Sequence, residues 1–415
     1  MKSGSHVRIP KLDKRASANA HRAGKLAGAA LLACSVSAAY AGAELKLSDE
    51  ASVSIGLGLR ASYTNTTNGA PNGTSGSNNF AVENARLFTS AQYGKMFKAT
   101  MNFNASPSGS TGTPDNLRLM DGIAQFEPYD GFKLWMGRFL PPSERANLYG
   151  PFYTSAWSYP GIASVGYGGT LSIIAGRDDG AMVWGNLFDN KLTYSVGAFN
   201  GHNRVAGLSN QENNLLYSGR LEYNFWDAEG GYYRNATYLG EKNVFALGAS
   251  IQNQTNGVGS AAAPGNLKVW DVDLLIEKKL AAGYVPTFEA MYQKTSLGAV
   301  DCGSSEPGAP GCLGASGSVG GMVSGKSYLG TLALLFPQKV GWGYFQPFVR
   351  YQKQDRDLSA TTNKGIDYGV NYLIKGFNAK VSAVYSQLDD SRLPRLAAPK
   401  TASSNQFVLG VQLNY

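Results

Sequence analysis

The chain has 415 residues, with 51 glycines, 11% aromatic and 16% charged residues, and a formal net charge of +8. That mix suits turns and strands and is poor in the charged residues that solvate surface helices. The basic excess belongs to the first 41 residues, which leave 30 of the 37 basic and 28 of the 29 acidic side chains downstream. A nucleic-acid-binding reading therefore loses its support.

Residues 1–41 read as an export signal. Lys2, Arg8, Lys11, Lys14, Arg15, Arg22 and Lys25 precede the apolar run LAGAALLACSVSAA and the small-x-small triplet Ala39-Tyr40-Ala41. Cleavage is expected after Ala41, with Ala43 as the alternative. Leu31–Cys34 faintly resembles a lipoprotein box, but the better cleavage site lies downstream. Beyond the leader no run of about 18 apolar residues indicates a transmembrane helix.

From Val53 to Tyr63 apolar and polar residues alternate, so the two sets fall on opposite faces of a strand. Gly56 and Gly58 lie inside this strand and open no helix, so they do not form a dinucleotide loop. A polar loop follows, then a hairpin over 84–93 and 97–104 turning at Gly94-Lys95. The rhythm repeats over 117–127 and 132–139. Next comes a long irregular stretch, Gly137–Gly180, rich in Gly, Pro, Ser and Tyr. Connections of that length inside a domain are uncommon and usually functional.

Strands are then expected over 181–188, 192–200, 215–225, 244–254, 267–277, 284–294, 328–336, 344–353, 366–374, 378–386 and 406–415. Residues 226–243 form the one long connection on an otherwise short-turn side. Cys302 and Cys312 lie in a Gly/Pro loop and read as a local disulfide in an oxidising compartment, with two free thiols as the alternative. No further ligands accompany them for a metal.

Connections alternate between short and long, and aromatic residues gather at the short-turn ends: Tyr93, Phe126, Phe188, Phe225, Trp226, Tyr284, Phe336, Trp342, Tyr372 and Tyr415. Short turns on one rim, long loops on the other and a girdle of rings describe an outer-membrane barrel. Strands of about nine to eleven residues match a tilted bilayer span. The last strand alternates Phe407, Leu409, Val411 and Leu413 and ends on the aromatic Tyr415. The expected fold is all-β: a transmembrane antiparallel barrel of about sixteen strands in one domain, 42–415. Its third extracellular loop, about 140–175, folds into the lumen as a constriction.

Several segments resemble the family of phosphate-selective porins and related short-chain amide porins. They are Gly137-Arg138-Phe139-x-Pro141-Pro142, Gly176-Arg177-Asp178-Asp179-Gly180, Gln346–Tyr351, Gly369–Tyr372 and Gly376–Val381. The resemblance implies a sixteen-stranded barrel, often trimeric, whose third loop narrows the pore and whose phosphate selectivity rests on inward Arg and a Lys cluster. Here strand parity places Arg60, Arg86, Lys98, Arg138, Arg220, Arg350 and Lys380 in the lumen. It also places Asp121, Glu222, Asp271, Asp273, Glu277, Glu289 and Asp367 there. The lining is mixed, and the loop has no lysine between Leu140 and Gly176.

The expected function is therefore a general or weakly selective diffusion channel for small hydrophilic solutes and ions in the outer membrane of a Gram-negative bacterium. A phosphate-specific porin is the alternative, and a barrel adhesin or outer-membrane hydrolase ranks lower. Arg138, Glu144 and Arg145 would polarise the eyelet, with Tyr149, Tyr153 and Trp157 packing the loop to the wall. Arg177, Asp178 and Asp179 would line its mouth or form a structural knot of ion pairs. His202 is the single histidine beyond the leader and has no triad pattern around it, so no catalysis and no cofactor are expected. The expected partners are outer-membrane lipid, the solutes and two further copies of the chain.

Overall fold

The structure is a computed structural model and describes residues 42–106, 116–161, 176–298, 324–357, 362–390 and 403–415. The leader, residues 162–175 of the long loop, and Cys302 and Cys312 lie outside the described residues.

Sixteen long strands follow one another: β1 Ala51–Thr66, β2 Ser77–Tyr93, β3 Phe97–Ser106, β4 Asn116–Tyr129, β5 Phe132–Phe139, β6 Asp178–Leu187, β7 Leu192–Phe199 and β8 Leu216–Asn224. Then come β9 Val244–Ser260, β10 Ala263–Glu277, β11 Val285–Ser296, β12 Gly325–Leu335, β13 Gly343–Arg356, β14 Thr362–Leu373, β15 Ala379–Asp390 and β16 Ser403–Asn414. Each pairs antiparallel with its neighbours, and β16 closes on β1 from Gln406↔Thr66 to Asn414↔Gly58. Two short strands sit at one rim: Ala43–Lys46 lies along β1, and Lys339–Val340 lies along the start of β13. Closure leaves no unpaired edge, which is what a lipid-immersed sheet requires.

Burial runs opposite to that of a soluble protein. Leu57, Phe80, Tyr93, Met136, Val196, Leu221 and Leu413 are exposed, whereas Arg220, Glu222, Asp271, Gln293, Arg350, Asn371, Lys380 and Gln412 are buried. From Leu221 to Asn224 on β8 and from Trp270 to Asp273 on β10, exposed apolar and buried polar residues alternate one by one. An apolar outer face and a polar inner face are the pattern of a membrane barrel.

Three features differ from the expectation. The segment 255–266 is not a loop: β9 and β10 continue through it as a tall hairpin joined by Ala261 and Ala262. Rings gather at the long-loop end as well as at the short-turn end, among them Trp270, Tyr292, Tyr328, Tyr351 and Tyr368 on the outer face. Most consequentially, the connection 225–243 on the short-turn rim is no exposed turn. Its Tyr232, Arg234, Ala236 and Thr237 are buried, and it reaches the same side chains as the long loop.

Candidate functional site

The long loop leaves β5 through Pro141-Pro142, which have no amide hydrogens to place in a ladder. The carbonyls there are held from two sides. Leu140 O accepts from the Tyr232 hydroxyl at 2.7 Å, and Pro142 O accepts from Gln252 Nε2 on β9 at 2.9 Å and from Ser218 Oγ on β8. A single helical turn, α1 Arg145–Leu148, follows.

From there the loop is fixed to inward side chains of one strand after another. Arg220 Nη1 on β8 donates to Ser143 O at 3.1 Å, and Asp273 on β10 accepts from the Arg145 amide at 3.0 Å. Gln412 on β16 donates to Phe152 O at 3.0 Å, Lys380 on β15 to Thr154 O at 3.0 Å and Asn371 on β14 to Ser155 O at 2.8 Å. Arg350 on β13 donates to both Ser158 O and Ser158 Oγ at 2.7 Å. Arg60 on β1 donates to Trp157 O, and its guanidinium lies 4.0 Å from the Trp157 ring centroid. Glycines make room for the rings. A Cβ on Gly58 would stand 2.7 Å from Phe152, and one on Gly410 would stand 2.6 Å from Trp157.

The centre of the site is Arg145, 1% exposed. Its Nη1 and Nη2 donate to the two Glu229 oxygens at 2.7 and 2.5 Å, and Nη2 also reaches Glu222 at 3.1 Å. Burial opposes its charge. Glu229, Glu222 and Asp273 outweigh burial, so its pKa rises and the guanidinium stays protonated. Arg234 donates to Glu222 at 3.0 Å, Arg220 donates to Asp273 at 2.8 Å, and the Tyr238 hydroxyl donates to Glu229 at 2.6 Å. Glu229, Arg234 and Tyr238 all belong to the 225–243 insert. Its backbone joins the loop too: Arg234 N donates to Leu148 O at 3.3 Å and Ala236 N to Tyr153 O at 3.0 Å.

Beneath this ion-pair network lies an apolar patch unusual for the inside of a porin-like wall. Trp135 on β5 and Trp184 on β6 meet edge to face at 5.2 Å, and Tyr232 of the insert packs on Trp135 at 5.2 Å. Phe139, Met182, Phe199 and Leu216 belong to the same patch. Residues missed from the sequence are therefore Glu229, Tyr232, Arg234 and Tyr238. The signal was present: in Leu134-Trp135-Met136 and Met182-Val183-Trp184 both parities are apolar, so something has to cover the inner face.

The predicted site residues divide. Arg60, Arg86, Lys98, Arg220, Arg350 and Lys380 stand at inward positions of the register. Arg138 is a correction. It pairs with Asp179 and Gly122, and the next rung pairs Met136, 60% exposed, with Ala181 and Ala124 two residues away. Strict alternation with Met136 carries Arg138 to the outer face, where Asp179 holds it bidentately at 2.7 and 2.8 Å.

Asp179 is corrected with it, so Arg177, Asp178 and Asp179 form no single cluster. Arg177 bonds Asp121 at 2.6 Å, and Asp178 accepts from the Gly201 amide at 2.6 Å. Glu144 is buried at the start of α1, and Arg145 is satisfied by Glu222, Glu229 and Asp273 rather than by its neighbour. Tyr153 packs edge-on against Phe377 at 5.5 Å.

Each stretch of the wall is weighted to one sign without being pure. Arg60, Arg86, Arg350 and Lys380 on β1, β2, β13 and β15 have Asp367 of β14 among them as the partner of Arg350, and Glu222, Asp271, Asp273, Glu277 and Glu289 on β8, β10 and β11 surround Arg220. Several inward side chains of β2–β4 are only half-buried, among them Arg86, Ser90, Thr100 and Gln125, whereas Asn104, Asp121 and Ile123 are buried. Lys98 there is paired with Glu127 at 2.8 Å.

No family model matches the chain, and no curated relative does. Solved structures do match. The anion-selective porin from Comamonas acidovorans aligns over 88% of this chain and 100% of its own, with a TM-score of 0.57 at 11% identity. Salmonella typhi OmpF, in complex with daunomycin, aligns over 90% of this chain and 100% of its own, with a TM-score of 0.57 at 12% identity. The trimer form of OmpT from Vibrio cholerae aligns over 88% and 100%, with a TM-score of 0.52 at 12% identity. The chain thus has the fold of the sixteen-stranded porin barrels.

Proposed function

We propose that the protein is an outer-membrane porin, a passive and weakly selective channel for small hydrophilic solutes and ions. The observation that carries this reading is the inverted barrel itself: a lipid-compatible outer face around an inner wall of Arg, Lys, Asp, Glu, Asn and Gln. The long loop and the 225–243 insert together cover the inner wall from β5 and β6 through β8–β10 and β13–β16 to β1. Solutes then pass along β2–β4, where Arg86, Ser90, Lys98, Thr100, Gln125 and Glu127 retain access to water. Lining charge sets selectivity in such pores. With Lys98 neutralised by Glu127, and Arg220 and Arg350 neutralised by carboxylates on the same stretches of wall, the channel discriminates weakly.

Phosphate specificity is the second reading. Nothing in the loop supplies a lysine cluster, and Arg60, Arg350 and Lys380 are engaged by loop carbonyls rather than presented to a passing anion. Residues 1–41 direct export and are removed, Cys302 and Cys312 form a disulfide, and the barrel assembles as a trimer like the OmpT form it resembles. Conductance and reversal potential in a salt gradient test the channel reading. Competition by phosphate against chloride current separates the two alternatives, and block by phosphate favours the second.

A further inference from the structure

Most cations of the inner wall are committed. Arg60 bonds Asn84 Oδ1 at 3.0 Å and faces Glu83, Lys98 pairs with Glu127, Arg177 with Asp121 and Arg350 with Asp367. Lys380 donates to Thr154 O at 3.0 Å. Arg86 on β2 differs from all of these. Its Nε is buried without an acceptor, and its guanidinium forms no hydrogen bond or ion pair among the described residues. Asp121 lies near enough to attract it, but that carboxylate is bonded to Arg177 at 2.6 Å.

Arg86 is bracketed by rings instead. Its guanidinium carbon lies 5.3 Å from the ring centroid of Phe152 on the long loop and 5.7 Å from that of Phe88, two residues along β2. The two rings meet edge to face at 5.9 Å. Gly58 on β1 permits this, since a Cβ there would stand 2.7 Å from Phe152 and 3.1 Å from Phe88. Phe152 is buried and Phe88 half-buried, so Phe152 backs the pair and Phe88 shows part of its ring to the lumen. Between Asn84 and Gln92 on β2, and between Lys98 and Asn104 on β3, Phe88 is the only apolar side chain at an inward register position.

These features select a solute. An open guanidinium fork matches the two coplanar oxygens of a carboxylate. One uncommitted cation balances one negative charge. A phosphate group, close to a dianion at neutral pH, would need a second, and Arg60, Arg177 and Lys98 nearby are already paired. The Phe88 ring beside the fork offers an edge or face to an aromatic group carrying that carboxylate. We propose that Arg86 and Phe88 form a binding site on the solute path for an aromatic monocarboxylate, with the carboxylate on Arg86, the ring against Phe88 and Phe152 as the positioning residue behind them. Inorganic ions lack the ring and pass with little discrimination. The inference rests on the water-filled lumen of the channel reading and adds a solute class to it.

The test uses the purified full-length protein in planar bilayers in potassium chloride, with benzoate, acetate, benzyl alcohol or phenyl phosphate added. Binding to the detergent-solubilised barrel is measured in parallel by saturation-transfer NMR. Benzoate is expected to bind and to reduce the chloride current saturably. Acetate, without a ring, and benzyl alcohol, without a charge, are expected to leave the current unchanged at the same concentration, and phenyl phosphate to bind more weakly than benzoate. R86K keeps the charge and loses the fork: it should retain the reversal potential in potassium chloride while benzoate block weakens about ten-fold. F88L keeps an apolar contact with Phe152 and should weaken benzoate block about five-fold at unchanged chloride conductance. K339Q on the short-turn rim should behave as the parent. Heat-modifiable gel migration shows which variants are folded; should R86K fail to fold, R86Q replaces it with the same expected loss of block.

Acetate blocking as strongly as benzoate overturns the ring contact, and benzyl alcohol doing so overturns the charge contact; either result sinks the proposal. Undiminished benzoate block in R86K and F88L also overturns it. Phenyl phosphate binding more tightly than benzoate overturns the monoanion as the occupant. A barrel that conducts but neither binds benzoate nor is blocked by it refutes this inference and leaves the channel reading standing. A folded barrel that binds benzoate and conducts nothing removes the channel reading and keeps the site.

Discussion

Replacing Arg145 by alanine removes the cation that ties the long loop to the 225–243 insert. Four donations are lost: two to Glu229 at 2.7 and 2.5 Å, one to Glu222 at 3.1 Å and one to Asn235 O at 3.1 Å. The carboxylates left behind are unequal. Glu222 keeps Arg220 at 2.7 Å and Arg234 at 2.9 Å, and Asp273 keeps Arg220. Glu229 keeps only the Tyr238 hydroxyl and becomes a buried carboxylate with no cation.

Breaking a buried pair from one side costs about 3–5 kcal/mol, and the surviving partners of Glu222 and Asp273 place this case near 3. That shifts the ratio of docked to undocked insert by roughly 150-fold. The barrel ladders are untouched, so the variant still folds and migrates as a heat-modifiable band. In planar bilayers, single-channel records of R145A should show larger conductance and frequent transitions between levels. E229Q, which leaves Arg145 with Glu222 and Asp273, should show a smaller change of the same kind. Records of R145A indistinguishable from the parent in conductance and noise would refute the reasoning that this cluster holds the two inserts together.

Other perturbations probe separate parts of the molecule. Gly410→Val places atoms where the Trp157 ring lies, so the loop must leave the β16 wall and conductance should change, while Gly330→Ala, whose Cβ meets nothing within 4 Å, should be neutral. Arg86→Glu reverses a half-buried charge on the open side of the lumen, and the zero-current potential in a salt gradient should move toward cation preference; an unmoved potential places the path elsewhere. His202 is half-buried, and desolvation of its ring lowers its pKa from 6.5 to about 4. Its protonation is therefore penalised in the folded state, so native stability falls as pH drops from about 6.5 to about 4 and is unaffected above that window. An NMR titration of the ring with a midpoint near 6.5 would contradict this desolvation. The exported protein should show no thiol reactive with maleimide until it is reduced, if Cys302 and Cys312 are bonded.

The barrel was readable because its physics is local. A two-residue period, rings at strand ends and the alternation of short and long connections each survive errors of a residue or two, and every expected strand has its counterpart. The site was readable only in part. Arg60, Arg220, Arg350 and Lys380 fall on the parity of their polar neighbours and could be placed. Arg138 could not be placed by its charge. Its parity groups it with Leu134 and Met136, and only the register with Asp179 explains how an outward cation is neutralised.

The 225–243 insert was hardest. Its length marked it as unusual, but nothing in WDAEGGYYRNATYLGEKN states that Glu229 will meet Arg145, 84 residues away in sequence. The indirect sign was the doubly apolar β5 and β6, whose inner face needed a cover. Asp178 and Asp179 show the same limit at smaller scale, since adjacent residues on a strand point to opposite faces and serve different partners.

We propose an open channel narrowed, but not sealed, by two segments packed against the inner wall from β5 round to β1. Planar-bilayer recording of the purified full-length protein tests it most directly. An open, weakly selective channel gives stepwise, ohmic insertions with a small reversal potential in a potassium chloride gradient. A folded, heat-modifiable barrel that inserts into the bilayer without conducting would contradict it.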